Sequence, residues 1–135
     1  MLILEFSFIF ICGALGYGTI EILWRGHTHW TMLLLGGICL YCIYIISTRM
    51  GEAIWKKLVM CAAAVTSLEF AVGCIVNLRL GWEVWDYSDM PFDLMGQICP
   101  AFSLMWLLLS LPCIYVCRFI HRFVFSPNFK NKKTS

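Results

Sequence analysis

The chain has 135 residues, of which 61% are hydrophobic and only 13% charged, and its formal net charge is +2. Soluble domains carry roughly 25% charged residues, so this composition, with a mean hydropathy of +0.80, excludes a soluble domain and points to an integral membrane protein. A spanning helix consumes about 20 residues, which leaves room for one compact transmembrane domain, residues 1–125, of at most four spans. Its first partner is the lipid bilayer, and no nucleic-acid partner is expected.

The opening stretch, MLILEFSFIFICGALGYGTIEILW, lacks the basic start and cleavage site of a secretory signal and has Glu5 where such a signal carries Lys or Arg. It is predicted to be a retained span over about residues 2–24. Its small residues, Gly13 and Gly16 among them, allow close helix approach in lipid. The polar turn Arg25-Gly26-His27-Thr28-His29, then Trp30, leads to a second span over about 32–48 that contains Gly36 and Gly37. A basic loop from Arg49 to Lys57 precedes a third span over about 58–80, with Glu69 near its middle. The acidic and aromatic loop Gly81 to Phe92 runs into a fourth span over about 93–117. There Pro100 and Pro112 each remove a backbone donor and are expected to bend the helix. Residues 126–135 read as a flexible basic cytoplasmic tail, with Lys130, Lys132 and Lys133 beside Pro127 and Asn128.

Orientation follows from Lys and Arg, which are enriched in cytoplasmic loops near span ends. The middle loop holds Arg49, Lys56 and Lys57 and the C-terminal segment Arg118, Arg122 and the three tail lysines, whereas the other two loops have only Arg25 and Arg79. Both termini are therefore expected in the cytoplasm, with the histidine turn and the tryptophan-rich loop together outside. All eight cysteines fall within predicted spans, so no disulfide framework is implied. Cys39-x-x-Cys42 and the Cys113/Cys117 pair raise a redox or metal site, but cysteine in an apolar interior behaves as a small hydrophobe. Quinone-linked electron transfer would need exposed partner cysteines, and the outer loops offer none.

An internal repeat is suggested by Ile20-Glu21 and Leu68-Glu69, and by Gly36-Gly37-Ile38-Cys39 and Gly96-Gln97-Ile98-Cys99. The fold class expected is thus an all-α membrane protein of four transmembrane helices arranged as two similar hairpins. Gly13, Gly16, Gly36, Gly37 and Gly96 are its helix-packing positions. An ionised group in hydrocarbon is costly unless paired or facing water. Glu21 has Arg25 four residues later, the favourable order for a helical ion pair. Glu69 has no cation within a helical turn and must find a partner across helices, sit beside water or stay protonated.

The run Ser67-Leu68-Glu69, Trp85-Asp86-Tyr87-Ser88, Pro91-Phe92 and Gly96-Gln97-Ile98-Cys99, followed by Phe102-Ser103 and Trp106, resembles the Putative ABC-transporter type IV family of small bacterial integral membrane proteins. The resemblance covers residues 64 to 110 well and the first half only through Gly16-Tyr17 and Glu21. His27-Thr28-His29-Trp30 stands in place of an Asn-Arg-Gly-Phe loop. Gly36-Gly37 stands in place of a Gly-Pro-x-x-Pro-x-Tyr-Gly run. Asp93, Gln97 and Pro100 replace a usual asparagine, arginine and leucine. The resemblance implies a four-helix, multi-pass protein of the bacterial cytoplasmic membrane, a transporter by family name. The chain has no G-x-x-x-x-G-K-[ST] phosphate loop, so any ATP hydrolysis must come from a separate ATPase chain.

Two readings of the outer loop stay open. Trp82, Trp85 and Tyr87 fit an interfacial aromatic belt, with Asp86, Asp89 and Asp93 complementing the N-terminal end of the fourth helix. Alternatively the acids line an outward vestibule, and the candidate pathway is Glu69, Glu21, Asp86, Tyr87, Asp89 and Gln97. His27 and His29 have the residue type of a metal site, but two histidines in a turn are more often interfacial polar groups. No metal and no cofactor are expected. The leading function is a small transporter or permease-like subunit, working as a homo-oligomer or with another membrane subunit. The alternative is a non-transporting accessory or sensor subunit. An enzyme acting on lipid head groups through His27, His29, Asp86 or Asp89 finds no nucleophile and base at a diagnostic spacing.

Overall fold

In the computed structural model, which describes residues 2–125, four helices follow one another. They are α1 (Leu2–Arg25), α2 (Trp30–Arg49), α3 (Ile54–Gly73) and α4 (Pro100–Ile120). A π-helical segment, Cys74–Arg79, prolongs α3, and another, His121–Phe125, prolongs α4. All four are long and apolar enough to cross a membrane. Among the described residues there is no strand, only a single bridge between Leu94 and Ile98. The basic tail expected over 126–135 lies outside the described residues.

Local chemistry sets the boundaries. Gly26 closes α1 at φ +80°, its N–H donating to the Ile22 carbonyl at 2.8 Å, the left-handed stop that glycine adopts without steric cost. His29 caps α2, with Nδ1 accepting the Thr31 N–H. The third helix begins at Ile54, not near Leu58, so Lys57 belongs to a helix and not to a basic loop. It is 5% exposed and its Nζ donates to the Ser47 carbonyl at 3.1 Å. This cation satisfies a carbonyl that the end of α2 leaves free.

Helix α2 is the hub, packing on α1, α3 and α4. One core joins Ile9, Ile43, Tyr44, Cys61, Val65, Ile114 and Cys117, and a second, nearer the long loop, joins Met32, Leu35, Val76, Val84 and Trp85. The α1–α2 approach is set by Gly13 and Gly36. A Cβ on Gly13 would stand 2.6 Å from the Gly36 carbonyl oxygen, and one on Gly36 would stand 2.5 Å from Tyr17 Cβ. Gly16 does not share this role: a Cβ there would meet nothing within 4 Å.

The largest departure from the sequence reading is α4, which starts at Pro100 and not near Asp93. Phe92 (φ 57°), Met95 (φ 54°) and Gly96 (φ 73°) lie in the left-handed region, which a right-handed helix cannot include. The Asp93 carboxylate is engaged by the Gly96 N–H at 2.8 Å. Proline forces the residue before it out of the helical region, and Cys99 is extended (φ −150°, ψ 155°). Pro100 therefore opens the helix, the position where its missing N–H costs nothing, and α4 then runs unbroken through Pro112. Gly96 is accordingly a loop residue and no helix-packing position. No acid side chain caps α4, because its N-cap is Cys99. Gly36–Cys39 is helical while Gly96–Cys99 is not, so the repeat in sequence does not extend to backbone conformation there.

Residues 80–99 fold back against the bundle. Gly73 of α3 is tight against Gln97 and the Trp85 ring, and Asn77 accepts the Val84 N–H at 2.7 Å while donating to Gln97 Oε1 at 2.7 Å. The loop thus fills the space beside the last turns of the third helix that the missing start of α4 would have taken. Irregular backbone packed against an apolar bundle needs its polar groups paired. Here Tyr87 N–H bonds the Gly96 carbonyl at 2.7 Å and Trp82 N–H the Val76 carbonyl at 2.9 Å. The Trp85 indole donates to the Gln97 carbonyl at 3.0 Å.

Candidate functional site

Helices α1 and α4 stand apart, and between them lies a cleft floored by α2 and α3. Its upper chamber, about 220 Å³, faces the long loop and is bounded by Glu21, Trp24, Arg25, Trp85, Tyr87 and Phe102. Its lower chamber, about 150 Å³, is bounded by Gly16, Leu35, Cys39, Val65, Glu69 and Cys113. Tyr17 and Trp106 line both chambers. Their rings stack across the cleft at 5.7 Å between centroids and 21° between planes, forming the partition between chambers. Gly16, Ile20 and Trp24 on one edge and Met105 on the other are exposed, so the cleft opens sideways.

Glu69 is the polar centre. It is 2% exposed, yet it reaches the lower chamber. Its Oε1 accepts the Tyr87 hydroxyl at 2.8 Å and its Oε2 the Trp106 indole N–H at 3.1 Å. Each oxygen keeps further lone-pair capacity. Burial pushes the Tyr87 phenol above its ordinary range and the Glu69 carboxylate adds to the shift, so Tyr87 acts as a hydrogen-bond donor throughout the physiological range. Tyr87 is placed by its ring, stacked on Phe102 at 4.5 Å and 10°. One loop residue and one α4 residue therefore clamp an α3 carboxylate.

Glu21 stands higher on α1. Arg25 Nε lies 2.9 Å from Glu21 Oε2, but the pair is matched by charge without hydrogen-bond alignment, so neither atom has a directed partner. The Arg25 guanidinium instead donates twice to the Val84 carbonyl at 3.3 Å, tying the first loop's end to the long loop. His29 packs on Trp30 and Trp82, which puts the first and third loops at the same end of the bundle.

The predicted pathway residues divide on this geometry. Glu69, Glu21 and Tyr87 meet at the cleft. Asp86 and Asp89 are exposed and belong to neither chamber. The Asp86 carboxylate accepts the Ser88 N–H at 2.9 Å, and bonding to Ser88 holds it below the usual carboxylate range. Gln97 is buried behind the wall, where it fixes Asn77, Trp85 and, through Nε2, the Met95 carbonyl. The residues that sequence reasoning passed over as site members are Tyr17, Trp106 and Phe102. Helical spacing could have found them: Tyr17 and Glu21 share a face of α1, and Phe102, Trp106 and Cys113 share a face of α4.

The profile of the family described as Putative ABC-transporter type IV matches residues 6–134, nearly the whole chain. The chain belongs to that family. The Putative ABC-transporter type IV match and the four apolar helices together make this a multi-pass membrane protein. No curated protein and no solved structure matches it.

Proposed function

We propose that this member of the family is a small transporter or permease-like membrane subunit whose ligand path is the cleft between α1 and α4, organised on Glu69. The observation that carries the reading is the Glu69 carboxylate, buried at a cavity wall with two neutral donors and, among the described residues, no cation beside it. A carboxylate in an apolar interior is costly to maintain, and packing alone gives no reason for one here. The Lys and Arg distribution supports a reading with both termini in the cytoplasm and the long loop outside. A path so small is completed by a second copy or another membrane subunit, and ATP-driven movement would draw on a separate ATPase chain. The setting is a bacterial cytoplasmic membrane.

The test is uptake of a panel of labelled cations, anions and neutral solutes into vesicles containing the protein. Glu69→Gln is expected to abolish uptake of the transported solute while the protein stays inserted at the same level. Unaltered uptake in that variant removes Glu69 from the path and favours the accessory or sensor reading.

A further inference from the structure

We propose that the cleft binds a lipophilic organic monocation, admitted sideways between α1 and α4, with Glu69 as its counterion. The assignment rests on the transporter reading only for movement after binding. Two carboxylates, Glu21 and Glu69, face the two chambers against one guanidinium, Arg25, which is already engaged by Glu21 and the Val84 carbonyl. Both oxygens of Glu69 are held by hydrogen bonds, from the Tyr87 hydroxyl and the Trp106 indole, and a cation seated beside a buried carboxylate favours its ionised form. The missing element is one positive charge. An anion would meet two carboxylates and, among the described residues lining the chambers, no free cation.

The walls set the rest of the ligand's chemistry. Tyr17, Trp24, Trp85, Tyr87, Phe102 and Trp106 bound the upper chamber, and aromatic faces attract ammonium groups, most strongly when water is excluded. The lower chamber is otherwise apolar. It is lined by Leu35, Leu40, Val65 and Leu109, which suits an alkyl or aryl body. The lateral opening passes beside exposed Gly16 and Ile20, so a molecule dissolved in the bilayer reaches Glu69 without crossing the seated loop. An ammonium of this kind comes either from a free amphiphilic amine or from an amine-headed lipid.

Benzyltrimethylammonium is the probe, measured by equilibrium dialysis on the full chain in dodecyl maltoside. Its uncharged isostere neopentylbenzene and the anion benzenesulfonate run in parallel. Saturable binding of the cation alone is expected, weakened about tenfold or more by Glu69→Gln. Gly16→Leu, whose side chain projects into open space, is expected to abolish binding by filling the cleft while leaving the fold intact. Competition by phosphatidylethanolamine identifies a lipid source and absence of competition a free amine; either supports the assignment. Equal binding of the neutral isostere or the anion overturns it. So does no saturable binding, or binding unchanged in both variants. Glu69-dependent uptake of an anion or neutral solute would leave the transport reading standing and remove the cation. Glu69-dependent cation binding without flux would do the reverse.

Discussion

Gly36→Ala and Gly16→Ala add the same methyl group to neighbouring helices of one membrane domain, and their comparison isolates the α1–α2 contact. At Gly36 the new Cβ lies 2.5 Å from Tyr17 Cβ and 3.0 Å from the Gly13 carbonyl oxygen. Neither neighbour is the end of a flexible side chain, so the helices must separate by about 1 Å. A gap of that size forfeits a quarter to a half of each contact's well, which is about 0.1 kcal/mol per atom pair. Over on the order of 40 pairs around the crossing, the loss is about 1–2 kcal/mol, within the usual overpacking range. Replacing a helical glycine by alanine returns roughly 0.5–1 kcal/mol of backbone entropy. That gain applies equally at Gly16, where the methyl meets nothing within 4 Å. The difference between variants is therefore the packing loss itself. Reversible unfolding in mixed micelles, followed by circular dichroism, is expected to rank Gly16→Ala above Gly36→Ala by about 1–2 kcal/mol. Equal stabilities would refute the close approach of the two backbones.

Tyr87→Phe removes one donor from Glu69 while keeping the stack on Phe102. The unsatisfied carboxylate costs about 1–3 kcal/mol, and hydrogen exchange over residues 80–99 should accelerate; unchanged protection there would detach the loop from Glu69. Gly96→Ala combines an unfavourable positive φ with a Cβ 2.7 Å from Asp86 Oδ1, and is expected to weaken the loop by about 1–2 kcal/mol, read as faster proteolysis between α3 and α4. The Asp86 carboxyl is lowered in the folded state from 3.8, so its contribution is present above that value and is lost as pH falls through the lower folded value. Loop protection should therefore decline in acid below about pH 4, and Asp86→Asn should flatten that decline; an identical profile in the variant would exclude Asp86 as its source. Trp106→Phe preserves stacking on Tyr17 but deletes the indole donor, and should weaken benzyltrimethylammonium binding less than Glu69→Gln does in the same dialysis assay.

The helices were legible because hydropathy and length act locally: residues 2–24 and 32–48 differ from α1 and α2 by no more than two residues at either end. The start of α4 was not. Asp93 to Cys99 is apolar enough to continue the span, and only the turn chemistry at Phe92, Met95 and Gly96 stops it. Pro100 carried the signal, since a proline reads equally as a kink or as a first helical residue. Glu69 was visible as a charge without a local partner, whereas spacing could show only the face of α4 that Trp106 shares and not its bond to Glu69, which depends on which helix faces α3. The acids Asp86 and Asp89 lie outside both chambers, a placement that was not legible for the opposite reason. Their charge is conspicuous in sequence, but side-chain direction in an irregular loop has no period to read.

The seating of the long loop has a thermodynamic consequence. The Tyr87 hydroxyl and a cation draw on the same Glu69 carboxylate, so the two interactions are coupled through one group. Whatever a bound cation does to the Tyr87 hydrogen bond, that bond does in equal measure to cation affinity, because coupling between two occupants of one group is reciprocal. The loop between α3 and α4 thereby reports from one end of the bundle whether its interior is filled.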